Sequence, residues 1–372
     1  MRTDQVRYDL PDWAIAQRPA EPRDAARLLD ADRLGDLTFD QFPSLLREGD
    51  LLVVNSTRVR AARLTGTKHP SGGSVETLLL RRLDDRRWET LVRPARRLGS
   101  GTELRFGPVS GRLLSAPEDG RAIVELTGPE GADVDDLLEV VGEVPLPPYV
   151  HQPLADPDRY QTIFAKVIGS AAAPTAGLHF TPRVLEGVVA AGAELADVDL
   201  EVGLDTFRPI TSARVEEHPV HRERFRVPEA TAEAVAAARR RGSRVIAVGT
   251  TSTRALESAA GPEGTVAPAV GETGLYIVPG YRFRVVDALL TNFHAPGSTL
   301  LALLAAFMGG RWRAAYAHAL AGGYRFLSFG DAMFVRRSPS PSGAGSGRSP
   351  SPSGAGSGRS PSPFGGGWGM GP

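Results

Sequence analysis

Between residues 63 and 142 the apolar residues fall in short runs, at 75–80, 88–92, 103–106 and 122–126, set apart by Gly, Pro and Asp. Runs of this length, repeating at intervals of roughly ten residues, are what a small antiparallel β-barrel or sandwich requires. On either side the texture is that of an α/β protein. Residues 50–54 form a compact apolar run ending on Asn55-Ser56-Thr57-Arg58. This reads as a buried strand delivering polar groups to its carboxyl end, where open α/β sheets carry their sites. Residues 229–241 are alanine-rich with acids early and arginines late, and Gly242 stands where a helix C-cap belongs. Residues 244–248 read as a second buried strand, which leads through Gly249-Thr250-Thr251-Ser252-Thr253 into a helix at 254–260. Residues 300–307 read as a core helix. The expected organisation is an α/β main domain built from residues 1–62 and 143–337, with an inserted antiparallel β-barrel domain at 63–142.

From Ser338 onward the sequence SPSPSGAGSGR occurs twice in succession and then begins again. Such a tract has too little apolar surface to offset the entropy of ordering it, so residues 338–372 are expected to be a disordered Gly/Pro/Ser repeat tail. It could serve as a tether, as a weak RNA contact through Arg348, Arg359 and Trp368, or be an incidental extension.

The 43 basic and 43 acidic residues cancel, which argues against a polybasic protein that attracts phosphate by bulk charge. All the basic residues but Lys68 and Lys166 are arginine, so any phosphate or carboxylate recognition runs through planar guanidinium forks. Seven arginines gather between residues 81 and 97 against Asp84, Asp85 and Glu89, with Trp88 among them. This is either a solvated charged face or a surface that holds an RNA backbone and stacks a base. The absence of cysteine removes disulfide frameworks, thiolate zinc sites and cysteine nucleophiles together. No apolar run approaches the roughly 20 residues of a membrane helix, and residues 1–24 lack the apolar stretch of a secretion signal. A cytoplasmic protein without membrane association is expected.

Two histidines sit in polar loops ahead of helices, His179 in residues 173–181 and His294 in residues 291–299, where loop-borne proton carriers are usually found. His69 and His318 read as solvated. Residues 216–223 pack Glu216, Glu217, His218, His221 and Glu223 closely. They form either a metal site or a hydrogen-bonded polar loop, and Pro219 breaks the helical spacing that a zinc helix supplies. The hydroxyls of residues 250–253 either cap a helix or accompany an anion held on its free amides. Phosphate-loop, nucleophile-elbow and dinucleotide fingerprints are missing.

Tyr8-Asp9-Leu10-Pro11, Glu21-Pro22-Arg23-Asp24, the segments 55–63 and 173–181, Thr206-Phe207-Arg208-Pro209, the segment 216–221, Val248-Gly249-Thr250-Thr251-Ser252, the segment 291–294 and Gly330-Asp331-Ala332-Met333 together resemble the S-adenosylmethionine:tRNA ribosyltransferase-isomerase family of queuosine biosynthesis. The resemblance runs in order from Tyr8 to Met333. It implies an α/β domain with an inserted β-barrel, and a reaction in which S-adenosylmethionine gives up its ribosyl carbons instead of its methyl group. The acceptor is the aminomethyl group of a 7-deazaguanine at the tRNA wobble position; epoxyqueuosine forms, and adenine and methionine leave. S-adenosylmethionine is thus a co-substrate, tRNA is the partner, and neither a cofactor nor a metal is implied. The oligomeric state is left open, a monomer included. His179, His294 and Asp331 are the implied catalytic candidates. Arg58, Thr175, Arg208, Thr250, Thr251, Ser252 and Asn292 are the substrate-binding ones, the hydroxyls holding the methionine carboxylate at a helix start. The alternatives are a diverged enzyme with another acceptor and an RNA-binding protein without catalysis. Four positions depart from the family pattern: Ser56 replaces Asp, Glu201 replaces His, Asp205 replaces Gly and Gly297 replaces Lys.

Overall fold

The computed structural model describes residues 1–203, 206 and 208–337; Asp205 and the repeat tract from Ser338 lie outside the described residues. Strands β1 (Arg27–Asp30), β2 (Gly35–Thr38), β3 (Leu51–Asn55) and β4 (Thr57–Val59) come first. Six strands then follow without a helix: β5 (Arg63–His69), β6 (Ser74–Arg82), β7 (Arg87–Arg93), β8 (Glu103–Phe106), β9 (Val109–Leu113) and β10 (Arg121–Thr127). Helix α1 (Val134–Val141) ends this stretch. Strands and helices mix thereafter: β11 (Val167–Ser170), α2 (Pro182–Ala190), β12 (Glu194–Leu200), β13 (Glu223–Val227), α3 (Glu229–Arg241), β14 (Val245–Val248), α4 (Gly249–Ser258), β15 (Ala269–Thr273), β16 (Ala288–Asn292), α5 (Thr299–Met308), α6 (Trp312–Ala321) and β17 (Ala332–Arg336).

Nine strands form one mixed sheet in the order β15-β13-β12-β3-β14-β16-β17-β1-β2. Its centre is parallel, β3 lying between β12 and β14, and β14 beside β16. A parallel strand covered on both faces must be apolar throughout, and every residue of β3 is buried. Leu51 and Val53 pack into the hydrophobic cluster on one face of the sheet, and Leu52 and Val54 into that on the other. Helix α3 spans the residues its charge pattern foretold, and Gly242 closes it in the left-handed conformation at φ 70°. Helix α4, in contrast, begins at Gly249, ahead of the expected residue 254. Ser252 and Thr253 turn their hydroxyls back onto the carbonyls of Val248 and Gly249, so the hydroxyl run fits inside the first turn instead of preceding it.

Strands β5 to β10 close a six-stranded antiparallel barrel in the order β10-β7-β6-β5-β8-β9. Period-two burial fills it: Val75 and Leu79 from β6, Trp88 and Val92 from β7, Leu104 and Phe106 from β8, and Ala122, Val124 and Leu126 from β10. The chain enters and leaves side by side, Arg63 and Glu143 exchanging both backbone hydrogen bonds. Among the described residues no helix is long and apolar enough to cross a membrane.

The arginines of residues 81–97 do not make one surface. Strand β7 separates Arg81, Arg82, Arg86 and Arg87 at one end from Arg93, Arg96 and Arg97 at the other, a span of roughly 20 Å at about 3.3 Å per residue. Trp88 is buried in the barrel, with the guanidinium groups of Arg60 and Arg82 over its ring at 4.6 and 5.6 Å. It has no face on which to stack a base.

Candidate active site

The parallel strands β12, β14 and β16 bring their carboxyl ends to one edge of the sheet, the place where open α/β sheets hold ligands. A cleft of about 610 Å³ opens there. Val202 and Gly203 after β12, Arg222 just before β13, Glu223 and Arg224 of β13, Arg254 of α4 and Leu300 of α5 line its main-domain side, and Leu80, Arg81, Glu89 and Arg121 of the barrel line the other. Val202, Thr206 and Leu300 also line a small polar pocket of about 40 Å³, which is therefore the inner end of the cleft.

Five of the residues singled out in the sequence converge on that inner end: Thr175, Thr250, Thr251, Asn292 and His294. Thr175 donates to Asn292 Oδ1 at 3.1 Å, and the Asn292 amide donates to the Leu327 carbonyl at 3.1 Å. Helix α4 starts here without a side-chain cap, and Gly249, Thr250 and Thr251 of its first turn line the pocket, where the first amides of a helix have no partner within it. The Thr251 hydroxyl beside them is buried and has no hydrogen-bond partner. His294 holds Thr291 through Nε2 at 3.0 Å, and its backbone is clamped by the hydroxyls of Tyr316 and Tyr8. Burial pushes its imidazole down to about 3, which favours the neutral ring.

The other candidates lie elsewhere. Arg208 lines the outer cleft. Ser252 is turned into its own helix. Arg58 is half-buried on β4, opposite Ile168 of β11. His179 is buried and stacks on Phe39 at 5.0 Å, with its ring nitrogens on the carbonyls of Ala176 and Gly330. Burial lowers its pKa. Asp331 is likewise buried, accepting from the backbone of Arg27 and Arg325 at 3.0 and 2.7 Å. Neither His179 nor Asp331 lines the cleft; they tie the ends of β1 and β17 to the loop before α2. His69 is exposed beside Glu103, and His318 bonds Asp36 at 3.1 Å.

Several cleft residues had no individual signal in the sequence. Glu223 is buried, pairs with Arg254, and accepts from the Gly203 amide and the Thr206 hydroxyl at 3.0 Å each. His218 and His221 also line the cleft. The crowding of residues 216–223 was the available clue, but Glu216 and Glu217 face away from it: Glu216 takes the N-terminal amine, and both pair with Arg214. Among the described residues no three His, Asp or Glu side chains gather to hold a metal.

A family model described as queuosine biosynthesis protein matches residues 3–335. The S-adenosylmethionine:tRNA ribosyltransferase-isomerase of Moorella thermoacetica is 48% identical over 342 residues, 90% of this chain and all of that protein. The protein of the same name from Symbiobacterium thermophilum is 46% identical over 342 residues, again 90% of this chain and all of its own. A crystal structure of an S-adenosylmethionine tRNA ribosyltransferase from Thermotoga maritima is 37% identical, covers 89% of this chain and 99% of that one, and superposes with a TM-score of 0.50.

The chain belongs to the queuosine biosynthesis protein family.

Within this family its departures fall in unequal places. Ser56 is buried and donates to the Val198 carbonyl at 3.1 Å, a bond that a carboxylate could not make. Gly297 adopts φ +66° with the Arg7 side chain beside it, a conformation that strains a lysine. Glu201 lines the outer cleft. Burial raises its pKa first, with Arg224 opposing and Asp199 reinforcing. The folded protein thus favours the neutral carboxyl, and stability is lost as pH rises through the raised pKa. Glu201→Gln should raise the melting temperature by roughly 1–3 °C at pH 7.5 and by less at pH 4, where Glu201 is itself protonated. Calorimetric scans at the two pH values that gave equal gains would refute this electrostatic origin.

Proposed function

We propose that this chain transfers and isomerises the ribosyl group of S-adenosylmethionine onto the 7-aminomethyl-7-deazaguanine of tRNA, giving epoxyqueuosine with release of adenine and methionine. The observation that carries the reading is the pair of adjoining cavities: a cleft of about 610 Å³ and a pocket of about 40 Å³ that share Val202, Thr206 and Leu300. The outer part has the volume of a site for a nucleoside-sized ligand. Six arginines from the main domain and the barrel, Arg81, Arg121, Arg208, Arg222, Arg224 and Arg254, line it, four of them paired with the cleft carboxylates Glu89, Glu223 and Glu272; guanidinium forks suit phosphate and carboxylate. The inner part suits the amino-acid end of S-adenosylmethionine. Its carboxylate is received by the α4 amides with Thr250 and Thr251, and Thr175 and Asn292 supply the neighbouring polar wall. His294, its neutral ring favoured by burial, hydrogen-bonds the bound co-substrate. No protein-bound cofactor is required, because S-adenosylmethionine supplies the transferred carbons and the leaving groups.

The test is to incubate the protein with S-adenosylmethionine and tRNA carrying the deazaguanine precursor, following adenine and methionine. Release of both, dependent on that tRNA, is the expected result. Release only with a different acceptor, or tRNA binding with no release, would replace this reading with a diverged transferase or an RNA-binding protein.

A further inference from the structure

Resting on that reading, the acceptor brings a primary ammonium into the outer cleft on tRNA, and a cation taken out of water needs an anion beside it. Among the described residues four carboxylates line that cleft: Glu89, Glu201, Glu223 and Glu272. Three are already answered. Glu89 pairs with Arg81 at 3.4 Å and Arg121 at 2.6 Å, Glu272 with Arg222 at 3.4 Å and Arg81 at 4.0 Å, and Glu223 with Arg254. The Glu201 carboxylate has neither an ion pair nor a hydrogen bond among the described residues. Arg224 runs alongside it, accepting the Glu201 amide on its carbonyl at 2.9 Å, yet does not pair with the carboxylate. The side chain is held by shape instead: it lies over Gly169 of β11, where an added Cβ would stand 2.9 Å from Glu201 Cγ and 3.0 Å from Oε1. Burial disfavours its charge; Arg224 and Arg60 oppose that effect, while Asp199 and Glu223 add to it. The carboxylate is therefore charged at a cost that a bound cation relieves. The cleft imidazoles, His218 and His221, offer no negative charge. On the same reading the methionine end of the co-substrate lies in the inner pocket, which Glu201 does not line.

We propose that the Glu201 carboxylate holds the primary ammonium of the tRNA-borne acceptor and so makes the chain select a base that carries an aminomethyl group. The contact is a charge-assisted hydrogen bond. Glu201 directly follows β12 and precedes Val202, which lines both cavities, so an amine held there lies next to the pocket of the co-substrate. Glu201 makes and breaks no covalent bond in this role. A base that lacks the ammonium leaves the carboxylate unanswered, and selectivity follows from that penalty.

The experiment titrates the wild-type chain, Glu201→Gln and Glu201→Asp with tRNA carrying the aminomethyl-deazaguanine precursor and with tRNA carrying guanine in its place, alongside adenine release and calorimetric binding of S-adenosylmethionine. The wild type should bind the precursor tRNA about 10- to 100-fold more tightly than the guanine tRNA. Glu201→Gln should bind the two alike, with kcat/KM for the precursor lowered by a similar factor, and Glu201→Asp should keep part of the preference. S-adenosylmethionine should bind all three proteins equally, and Glu201→Gln should melt no lower than the wild type, so that unfolding does not explain the loss. An active wild type whose preference survives in Glu201→Gln overturns the assignment alone. Weakened binding of S-adenosylmethionine also overturns it, making the carboxylate a partner of the co-substrate's own cationic groups. An equal loss of affinity for both tRNAs overturns it too, as the mark of a merely structural role. If the wild type itself releases no adenine from the precursor tRNA, the functional reading fails and the assignment with it.

Discussion

Glu223→Ala should lower the stability of the protein by about 3–5 kcal/mol, the usual cost of removing one partner from a buried ion pair. Glu223 is 8% exposed. It answers Arg254, whose Nε donates to the Leu275 carbonyl at 3.1 Å and whose Nη2 is buried without a hydrogen-bond partner. Removing the carboxylate strands that guanidinium in a wall of the cleft. It also frees the Gly203 amide and the Thr206 hydroxyl, both of which line the cleft, so activity should fall with stability. The double variant Glu223→Gln with Arg254→Met should recover most of the loss, because it leaves no orphaned charge. Urea unfolding of the three proteins checks this. A single variant within about 1 kcal/mol of the wild type would mean that solvent reaches the pair and the charge is not buried.

Trp88→Ala should cost about 3–5 kcal/mol, the range for emptying a large aromatic site in a core. The ring is 4% exposed among Leu64, Val92, Val124 and their neighbours in the barrel. Asp135 of α1 joins the two guanidinium groups above it, Arg60 at 2.9 Å and Arg82 at 2.6 Å. The side chain therefore fastens the barrel to the strand that enters it and the helix that leaves it. Trp88→Phe should retain most of the stability. A base-stacking tryptophan would behave in the opposite way, with Trp88→Ala weakening tRNA binding at unchanged stability. Thermal unfolding together with a tRNA titration separates the two outcomes.

The inner pocket was legible because its residues sit at strand ends and helix starts, where local sequence fixes the geometry: Thr250 and Thr251 follow the apolar run of β14, Asn292 ends β16 and His294 lies just beyond it. His179 and Asp331 stand in equally well-marked segments, yet the structure gives their polar atoms to backbone groups of β1, the Ala176 turn and the Gly330 turn. A motif tells that a side chain is constrained, and only its partners tell by what. The arginines of residues 81–97 illustrate the same limit, since adjacency in sequence became opposite ends of β7.

The sequence by itself determined the elements: a two-residue period makes the barrel strands, a both-faces-apolar run makes β3, and the charge gradient with Gly242 makes α3. These depend on neighbours within a few residues. Tertiary structure alone decided which polar groups face the cleft, for Glu223 meets Arg254 across 31 residues and His294 meets Tyr8 across 286. Such pairings are set by how β13, α4 and the amino-terminal segment pack around the sheet, and burial then fixes which charges are tolerated and which imidazoles stay neutral.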